Sequence, residues 1–555
     1  MTWPSIREFL RIPDAFTGKG VNIAVIDSSF THHPDIASNE NRNTYIIKTS
    51  EYHPKPLLMH ASLGPWKKGL HGLSSSAAAA GSGELSGGYY TGAAPAVNLY
   101  LLETGPFHTS DEIEVKMVRA LEWLKESWRL YNIRGVVLTV TASRDTGLLP
   151  WQADPVRVKC EELIAEGLLI VSSSGNTKDV TCNGPSASPS VLSVGGIIVS
   201  QDANCKEALP YHGCRGVTFE GKWVPEILAP AENIVLPVPF QSEAEYLDHY
   251  SAPYDNLPAG YARIEGTSYS GPIILGAAAC IWEARPWLSG SQMKSLLIGS
   301  SWTTQIIWNE LRSGVVDVSA AINSLPPIMT QSPEIPKSME SMGKPYLNME
   351  KWKGSAEKER LEALTSEDEQ EVTAALLSCL LEPSSSKITQ DLRRTLPRHL
   401  SDKVRAASIL LVSECGMAIT SVELSHLLKD ESSYVRMAAL YALEKYPDLW
   451  DELIDDLISL FQDKDSNIRY CALQLASTLK NPYFIAPIIS ELKNDALNQN
   501  VSIFGAGCKT LEQITGVHIE PVPVFRDGQC WYSEASNESR LFIARKWEEW
   551  YRQKR

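Results

Sequence analysis

Four apolar runs constrain the first part of this chain more than anything else in it: Val21-Asn22-Ile23-Ala24-Val25-Ile26, Gly135-Val136-Val137-Leu138-Thr139-Val140, Leu168-Leu169-Ile170-Val171 and Val191-Leu192-Ser193-Val194. A strand with one wet face alternates apolar and polar residues, so runs this continuous belong to strands buried on both faces. Both faces must then be covered by helices, and the intervening segments, such as Glu112 to Leu130, are long enough to form them. The chain up to about residue 325 therefore reads as an α/β fold with a mostly parallel sheet.

The texture changes near residue 325. The stretch PPIMTQSPEIPKSMESMGKP has the composition of a linker. Beyond it the pattern is helical, and it repeats. Val404-Arg405-Ala406-Ala407 returns as Val435-Arg436-Met437-Ala438-Ala439, as Ile468-Arg469-Tyr470-Cys471-Ala472, and without the arginine as Val501-Ser502-Ile503-Phe504. The copies stand 31, 33 and 33 residues apart. A further apolar helix precedes a copy, as at Val422 to Leu428 and Leu453 to Phe461. A helix pair of this size cannot bury its apolar face alone, whereas stacked pairs can. The pattern resembles short HEAT-like repeats of the form D-x-x-V-R-x-x-A; the arginine-free fourth copy reads as a capping unit, and Ala544 to Tyr551 as a closing amphipathic helix. The expected organisation is an α/β domain over 1–324, a Pro/Ser-rich linker over 325–355 and an all-α HEAT-like solenoid over 356–555.

Charge and cysteine usage narrow the function. A net charge of −15 argues against a nucleic-acid-binding protein, which needs a basic face to neutralise phosphate. The start, MTWPSIREFLRIPD, lacks the basic and apolar regions of a signal peptide. The longest apolar stretches, such as Ile273 to Trp282, are far shorter than the about 20 residues that span a bilayer. Ten cysteines with no CxxC pair do not make a disulfide framework; Cys205 and Cys214 could meet across a loop, but buried free thiols are expected. A cytoplasmic protein with no nucleic-acid or membrane partner is expected.

Four polar residues stand where such a fold can use them. Asp27 ends the first strand, at the carboxyl edge where α/β folds place ligands. His71 opens a segment of small residues running from Ser74 to Gly81, which indicates a helix packed very close to something. Asn176 follows a buried strand, where its amide either caps a turn or donates to developing negative charge. Ser268 lies in Gly266-Thr267-Ser268-Tyr269-Ser270-Gly271-Pro272 at a helix start, either as a helix cap or as a nucleophile favoured by the helix dipole, with Pro272 tolerated in the first turn. Taken as a set, they hold what acyl transfer needs: a hydroxyl, a base, a carboxylate to orient the base, and an oxyanion donor. The order Asp, His, Ser is that of subtilisin rather than of chymotrypsin or the α/β-hydrolases.

Residues 15–322 thus resemble the subtilisin-like (subtilase, S8 family) serine proteases. The resemblance extends to Gly18-Lys19-Gly20-Val21, His33-Pro34-Asp35, Gly92-Ala93-Ala94-Pro95, the strand from Ala187 to Gly195, Pro225 to Pro230, and Gly314 to Val318. It implies a serine endopeptidase in which Ser268 is the nucleophile, His71 the base and acid, and Asp27 its orienting carboxylate. Asn176 and the Ser268 N–H would form the oxyanion hole. Thr141, Ala142 and Ser143 would pair with extended substrate, and Ser172, Ser173 and Ser174 would line the pocket before the cleaved bond. Departures from the family pattern are Ser29 for Gly, Leu73 for Thr, Tyr269-Ser270 within the serine motif, and an insertion near residues 38–68. With about 20 residues ahead of the aspartate strand, a large propeptide is not expected, and without a D-x-D-x-D-G loop neither is calcium or another cofactor or metal. The expected partners are a protein or peptide substrate and a recruiting or regulatory protein on the repeats. The alternative is an inert subtilase-fold scaffold whose repeats bind a partner protein.

Overall fold

The computed structural model describes residues 3–62, 69–106, 110–140, 146–182, 184–200, 208–239, 257–258, 260–326, 357–381, 399–498, 500–519 and 536–554. Within these, the apolar runs form the middle of one sheet. Its strands are β1 (Asn22–Asp27), β2 (Thr44–Lys48), β3 (Leu57–Leu58), β4 (Asn98–Glu103), β5 (Ile133–Leu138), β6 (Leu169–Ser173), β7 (Leu192–Ile198), β8 (Leu209–Pro210), β9 (Ile227–Glu232) and β10 (Gly314–Val315). They lie in the order β10-β9-β7-β6-β5-β1-β4-β2-β3, with β8 beside β7. Neighbours run parallel except β2 with β3 and β7 with β8. The residues after the aspartate strand, where an insertion is expected, supply β2 and the edge strand β3.

Successive side chains of a strand leave opposite faces, and here both faces are covered. Ile23, Val25, Val137, Leu169 and Val171 join a core with α1 (Leu70–Ala80) and with α4, defined below, whereas Ala24, Ile26, Val136, Leu138 and Ile170 join a second core. The second is closed by α2 (Ser110–Ser127) and α3 (Pro155–Ala165). Continuous apolar strands are the consequence of this sandwich. β4 and β5 flank β1 on opposite sides, so Asp27 ends its strand where the chain changes direction across the sheet.

The small residues of α1 have a physical cause. They pack against α4 (Thr267–Ala284) so closely that a Cβ on Gly276 would stand 2.4 Å from the Ala79 carbonyl oxygen and 2.8 Å from the Ala93 Cβ. Only small residues permit that approach, which brings the starts of the two helices together.

Two lysines hold the loop before β7. Lys222 Nζ donates to the carbonyls of Ser186, Ser188 and Val191 at 3.0, 2.8 and 2.7 Å, and pairs with Glu226 at 3.1 Å. Lys294 pairs with the same carboxylate at 2.9 Å and also reaches the Val191 carbonyl. Burial pushes the Lys222 amine down to about 8, against the pull of Glu226. These carbonyls point inward, and the buried ammonium groups are donors to them.

The C-terminal part is helical: α5 (Glu369–Leu381), α6 (Asp402–Glu414), α7 (Ser421–Leu428), α8 (Ser433–Lys445), α9 (Ile454–Leu460), α10 (Ser466–Leu479), α11 (Ile485–Leu497), α12 (Val501–Thr515) and α13 (Asn537–Lys554). The helices that carry the recurring motif, α6, α8, α10 and α12, pack in succession, with α7, α9 and α11 on their flanks. In the first two copies the recurring arginine is a clamp between neighbouring turns of the stack. Arg405 grips Asp430 with two nitrogens at 3.1 and 2.9 Å, and Arg436 grips Asp463 at 2.8 and 2.7 Å. Each also donates to two backbone carbonyls at its own helix start. A planar fork serves this better than a lysine would. The helical part also shares a core with the α/β part through Leu148, Leu149, Ala153 and Phe219. The described cysteines are free and, except for Cys415, buried; Cys205, and the linker stretch from residue 327 on, lie outside the described residues.

Replacing Lys222 by Met keeps the volume and removes the three Lys222 donors of the loop clamp, leaving those of Lys294. Urea unfolding of Lys222→Met is expected to show a loss of about 3–5 kcal/mol relative to the parent chain. A loss under about 1 kcal/mol would show that the loop closes without the ammonium.

Candidate active site

Asp27 is completely buried at the tip of β1 and is met by donors on every side. Its Oδ1 accepts from the Ser28 backbone N–H at 2.7 Å. Its Oδ2 accepts from Thr139 Oγ1 at 2.7 Å and from Ser75 Oγ at 2.9 Å, and lies 2.7 Å from His71 Nδ1. Burial would raise this carboxyl, but the charge and hydrogen bond of His71, with the bonds from Thr139 and Ser28, outweigh it and hold the group below its usual range. Asp27 is therefore an ionised acceptor at neutral pH. An ionised carboxylate only accepts, so Nδ1 carries a proton toward Asp27, and in the neutral imidazole the lone pair is on Nε2.

His71 is the second residue of α1 and stays 38% exposed, in contrast to the buried carboxylate behind it. The helix enters through Gly69, whose φ of +85° suits glycine. Gly72 is equally constrained, because a Cβ there would stand 2.0 Å from the Ser29 carbonyl oxygen. The pair His71-Gly72 thus lets the imidazole lie over the end of β1. His33 is different in kind: it is buried, pushed down to about 4 by that burial, and accepts from the Asp35 N–H through Nδ1. It is a fixed part of the fold rather than a base facing solvent.

Ser268 is half-buried in the first turn of α4. Gly266 before that helix has φ +136°, a backbone state that favours glycine. Thr267 then ties helix to strand. Its carbonyl accepts from Ser173 Oγ at 2.7 Å and its Oγ1 accepts from the Gly175 N–H at 3.2 Å. Its N–H and its hydroxyl both donate to Asn176 Oδ1 at 2.8 Å. That fixes the Asn176 amide with its oxygen consumed, and Asn176 itself is exposed at the sheet edge. The amide nitrogen lies on the Gly266 side, 3.5 Å from where a Cβ of that residue would be.

The unusual Tyr269 packs beside His71, with ring centroids 6.0 Å apart, and Ser270 donates to the Pro230 carbonyl at 2.8 Å. Pro272 corrects the expectation of a first-turn proline: the helix begins at Thr267, so Pro272 is its sixth residue. It removes the N–H that would otherwise bond the Ser268 carbonyl.

Of the residues expected to bind substrate, Ser172 and Ser174 are fully buried and the Ser173 hydroxyl is taken by Thr267, so what this run could offer a ligand is backbone. Thr141, Ala142 and Ser143 lie outside the described residues. Sequence reasoning missed Ser75, Thr139 and Thr267. Ser75 had a signal, since it stands four residues after His71 and so on the same helix face. Thr139 had none, because its role depends on β5 lying beside β1. Among the described residues, no group of three or more His, Cys, Asp or Glu side chains is placed to hold a metal ion, and no helix is long and apolar enough to cross a membrane.

A family model, that of the subtilase family of S8 peptidases, matches residues 18–325, more than half of the chain. The chain belongs to the subtilase family. This subtilase is 29% identical to the serine protease AprX of Bacillus subtilis over 301 residues, which are 52% of this chain and 63% of AprX. It is 23% identical over 288 residues to a probable subtilase-type serine protease of Deinococcus radiodurans, covering 51% of this chain and 36% of that one. The chain thus spans less than two thirds of the length of either relative. Among solved structures, fervidolysin of Fervidobacterium pennivorans aligns over 57% of this subtilase and 44% of its own chain, with 16% identity and a TM-score of 0.43. The maturation protease PagA aligns over 58% of this chain and 99% of its own, with 16% identity and a TM-score of 0.40.

The hydrogen-bond pattern around Asp27 generates a graded expectation for peptide hydrolysis. Asp27→Asn would present an amide to His71, favour the wrong tautomer and lower kcat by about 10⁴-fold. Thr139→Val, which removes one charged hydrogen bond worth about 1.5–3 kcal/mol, should cost about 10- to 100-fold. Initial rates on a fluorogenic peptide measure both, and a Thr139→Val enzyme with parental kcat would show that this donor is dispensable.

Proposed function

We propose that this subtilase is a serine endopeptidase acting through Asp27, His71 and Ser268, with Asn176 and the Ser268 N–H as the oxyanion hole. The observation that carries the reading is the 2.7 Å contact of His71 Nδ1 with buried Asp27, which leaves Nε2 as a base at the mouth of two helix starts. His71 Nε2 takes the Ser268 proton as Oγ attacks the scissile carbonyl. The tetrahedral oxyanion receives the Asn176 amide and the Ser268 N–H, reinforced by the dipole of α4. His71 then returns its proton to the leaving amine, the acyl-enzyme remains, and water attacks it by the same route in reverse.

In this reading the catalytic unit is residues 1–324, joined by the 325–355 linker to a HEAT-like solenoid over 356–555. Thr141 to Ser143 would pair with an extended peptide, and Ser172 to Ser174 would bound the pocket through their backbone. The solenoid recruits a specific protein substrate or a regulator, as stacked helix pairs offer extended surfaces. Free, mostly buried cysteines suit a reducing compartment such as the cytoplasm.

A fluorophosphonate tests the core of the proposal. The parent chain should be labelled on Ser268, and Ser268→Ala should not be labelled. Absence of labelling on the folded parent, or equal labelling of both, would replace the enzyme by an inert scaffold. Incubation of Ser268→Ala with proteolysis-deficient cell extract and crosslinking should then trap the substrate.

A further inference from the structure

The segment that carries Asn176 is held at both ends. At one end Thr267 fixes the Asn176 amide and the Gly175 N–H, and the Gly175 carbonyl accepts from the Cys214 N–H at 3.0 Å. The other end is held by the C-terminal helices. Asp179, three residues after Asn176, accepts through Oδ2 from the Ser502 and Ile503 N–H groups at 2.8 and 3.2 Å. Helix α12 starts there, and its own cap residue, Asn500, makes no side-chain cap bond. Asp179 thus supplies from the catalytic part the carboxylate that a helix start favours. Ser502 Oγ also bonds Thr177 Oγ1. Two residues further on, the Thr181 N–H donates to Asn467 Oδ1 at 2.9 Å, and Asn467 Nδ2 donates back to Thr181 Oγ1 at 3.2 Å.

In three copies the contact to the first part comes from one register of the repeat. The residue ahead of the recurring Val or Ile is Lys403, Tyr434 and Asn467 in successive copies. Lys403 and Tyr434 both pack on Phe219, at 5.5 and 5.4 Å from its ring centroid, and Asn467 takes Thr181. In the fourth copy the arginine position itself is Ser502, which takes Thr177 and Asp179. The missing arginine of that copy, expected to mark a terminal unit, coincides with a contact to the catalytic part. A long guanidinium side chain there would occupy the place of the Ser502–Thr177 bond.

We propose that the helical part is a built-in support for the oxyanion segment, with Asp179 and Asn467 as positioning residues that act on the reaction through Asn176. The inference rests on the serine-protease reading above. An oxyanion donor stabilises the transition state only when its N–H is already aimed where the charge develops, so a segment loosened by a fraction of an ångström loses turnover more than substrate affinity.

The test uses the full chain throughout, with active-site titration by the fluorophosphonate to count competent enzyme. Asp179→Ala and Asn467→Ala should each lower kcat by about tenfold or more while KM stays within about threefold, short of the roughly 10²–10³-fold loss of an oxyanion donor itself. Asp179→Asn keeps an acceptor oxygen and the side-chain shape, and should recover kcat to within about threefold of the parent. In an Asn176→Ala background, Asp179→Ala should cost no more than about twofold further, because both act through one group. Losses that multiply, a parental kcat in both alanine variants, or a fall confined to the titratable fraction would each overturn the positioning role while the labelled parent still stands as a protease. An unlabelled parent would instead overturn the serine-protease reading, and this inference with it. Should Asp179→Ala fail to fold, Asn467→Ala and Asp179→Asn carry the comparison.

Discussion

The close contact between α1 and α4 is the constraint on which the rest of the α/β part depends. Two helices normally pack 8–10 Å apart, axis to axis, with side chains between them. Here Gly276 lies so near Ala79 and Ala93 that even a methyl group would collide with them. Alanines on both helices fill what little space remains. Because His71 and Ser268 each lie second in their helix, the approach of α1 and α4 sets an imidazole and a hydroxyl in the first turns of neighbouring helices, above the carboxyl edge of the sheet. The run of small residues is thus part of the site's geometry even though none of those alanines can take part in chemistry.

Electrostatics is arranged around that packing by enclosing charges and giving each a specific partner. Asp27 is fully buried and still held ionised, since its oxygens face Ser28, Ser75, Thr139 and His71. Lys222 is nearly as enclosed, and its three donors are taken by a loop that needs them. Arg405 and Arg436 repeat the principle in the helical part, each joining adjacent turns of the stack through a two-point grip. In all of these a buried charge is compatible with folding because it meets partners of complementary charge or hydrogen-bonding capacity.

Much of this was legible in the sequence, for reasons that differ by residue. The parallel sheet followed from continuous apolar runs, and the helical stack from a motif recurring at nearly constant spacing. Gly266 and Gly72 were legible as neighbours of polar residues, although the backbone state of the first and the carbonyl beside the second came only with the fold. Ser75 was readable by helical period and was overlooked. Thr139 was not readable at all, since its partner lies on a strand more than a hundred residues earlier. Pro272 was placed one turn too early because the sequence does not mark where the helix starts relative to Ser268.

By itself the sequence determined the class of each part, because periodicity and burial are local properties of a strand or a helix. It also determined the order Asp27, His71, Asn176, Ser268, which carries the family resemblance. Only the tertiary structure decided that the recurring helices of the C-terminal part abut the α/β part at Thr177, Asp179, Thr181 and Phe219. No local pattern encodes such contacts: they join residues more than two hundred positions apart, and a contact at that separation depends on where two folded surfaces meet.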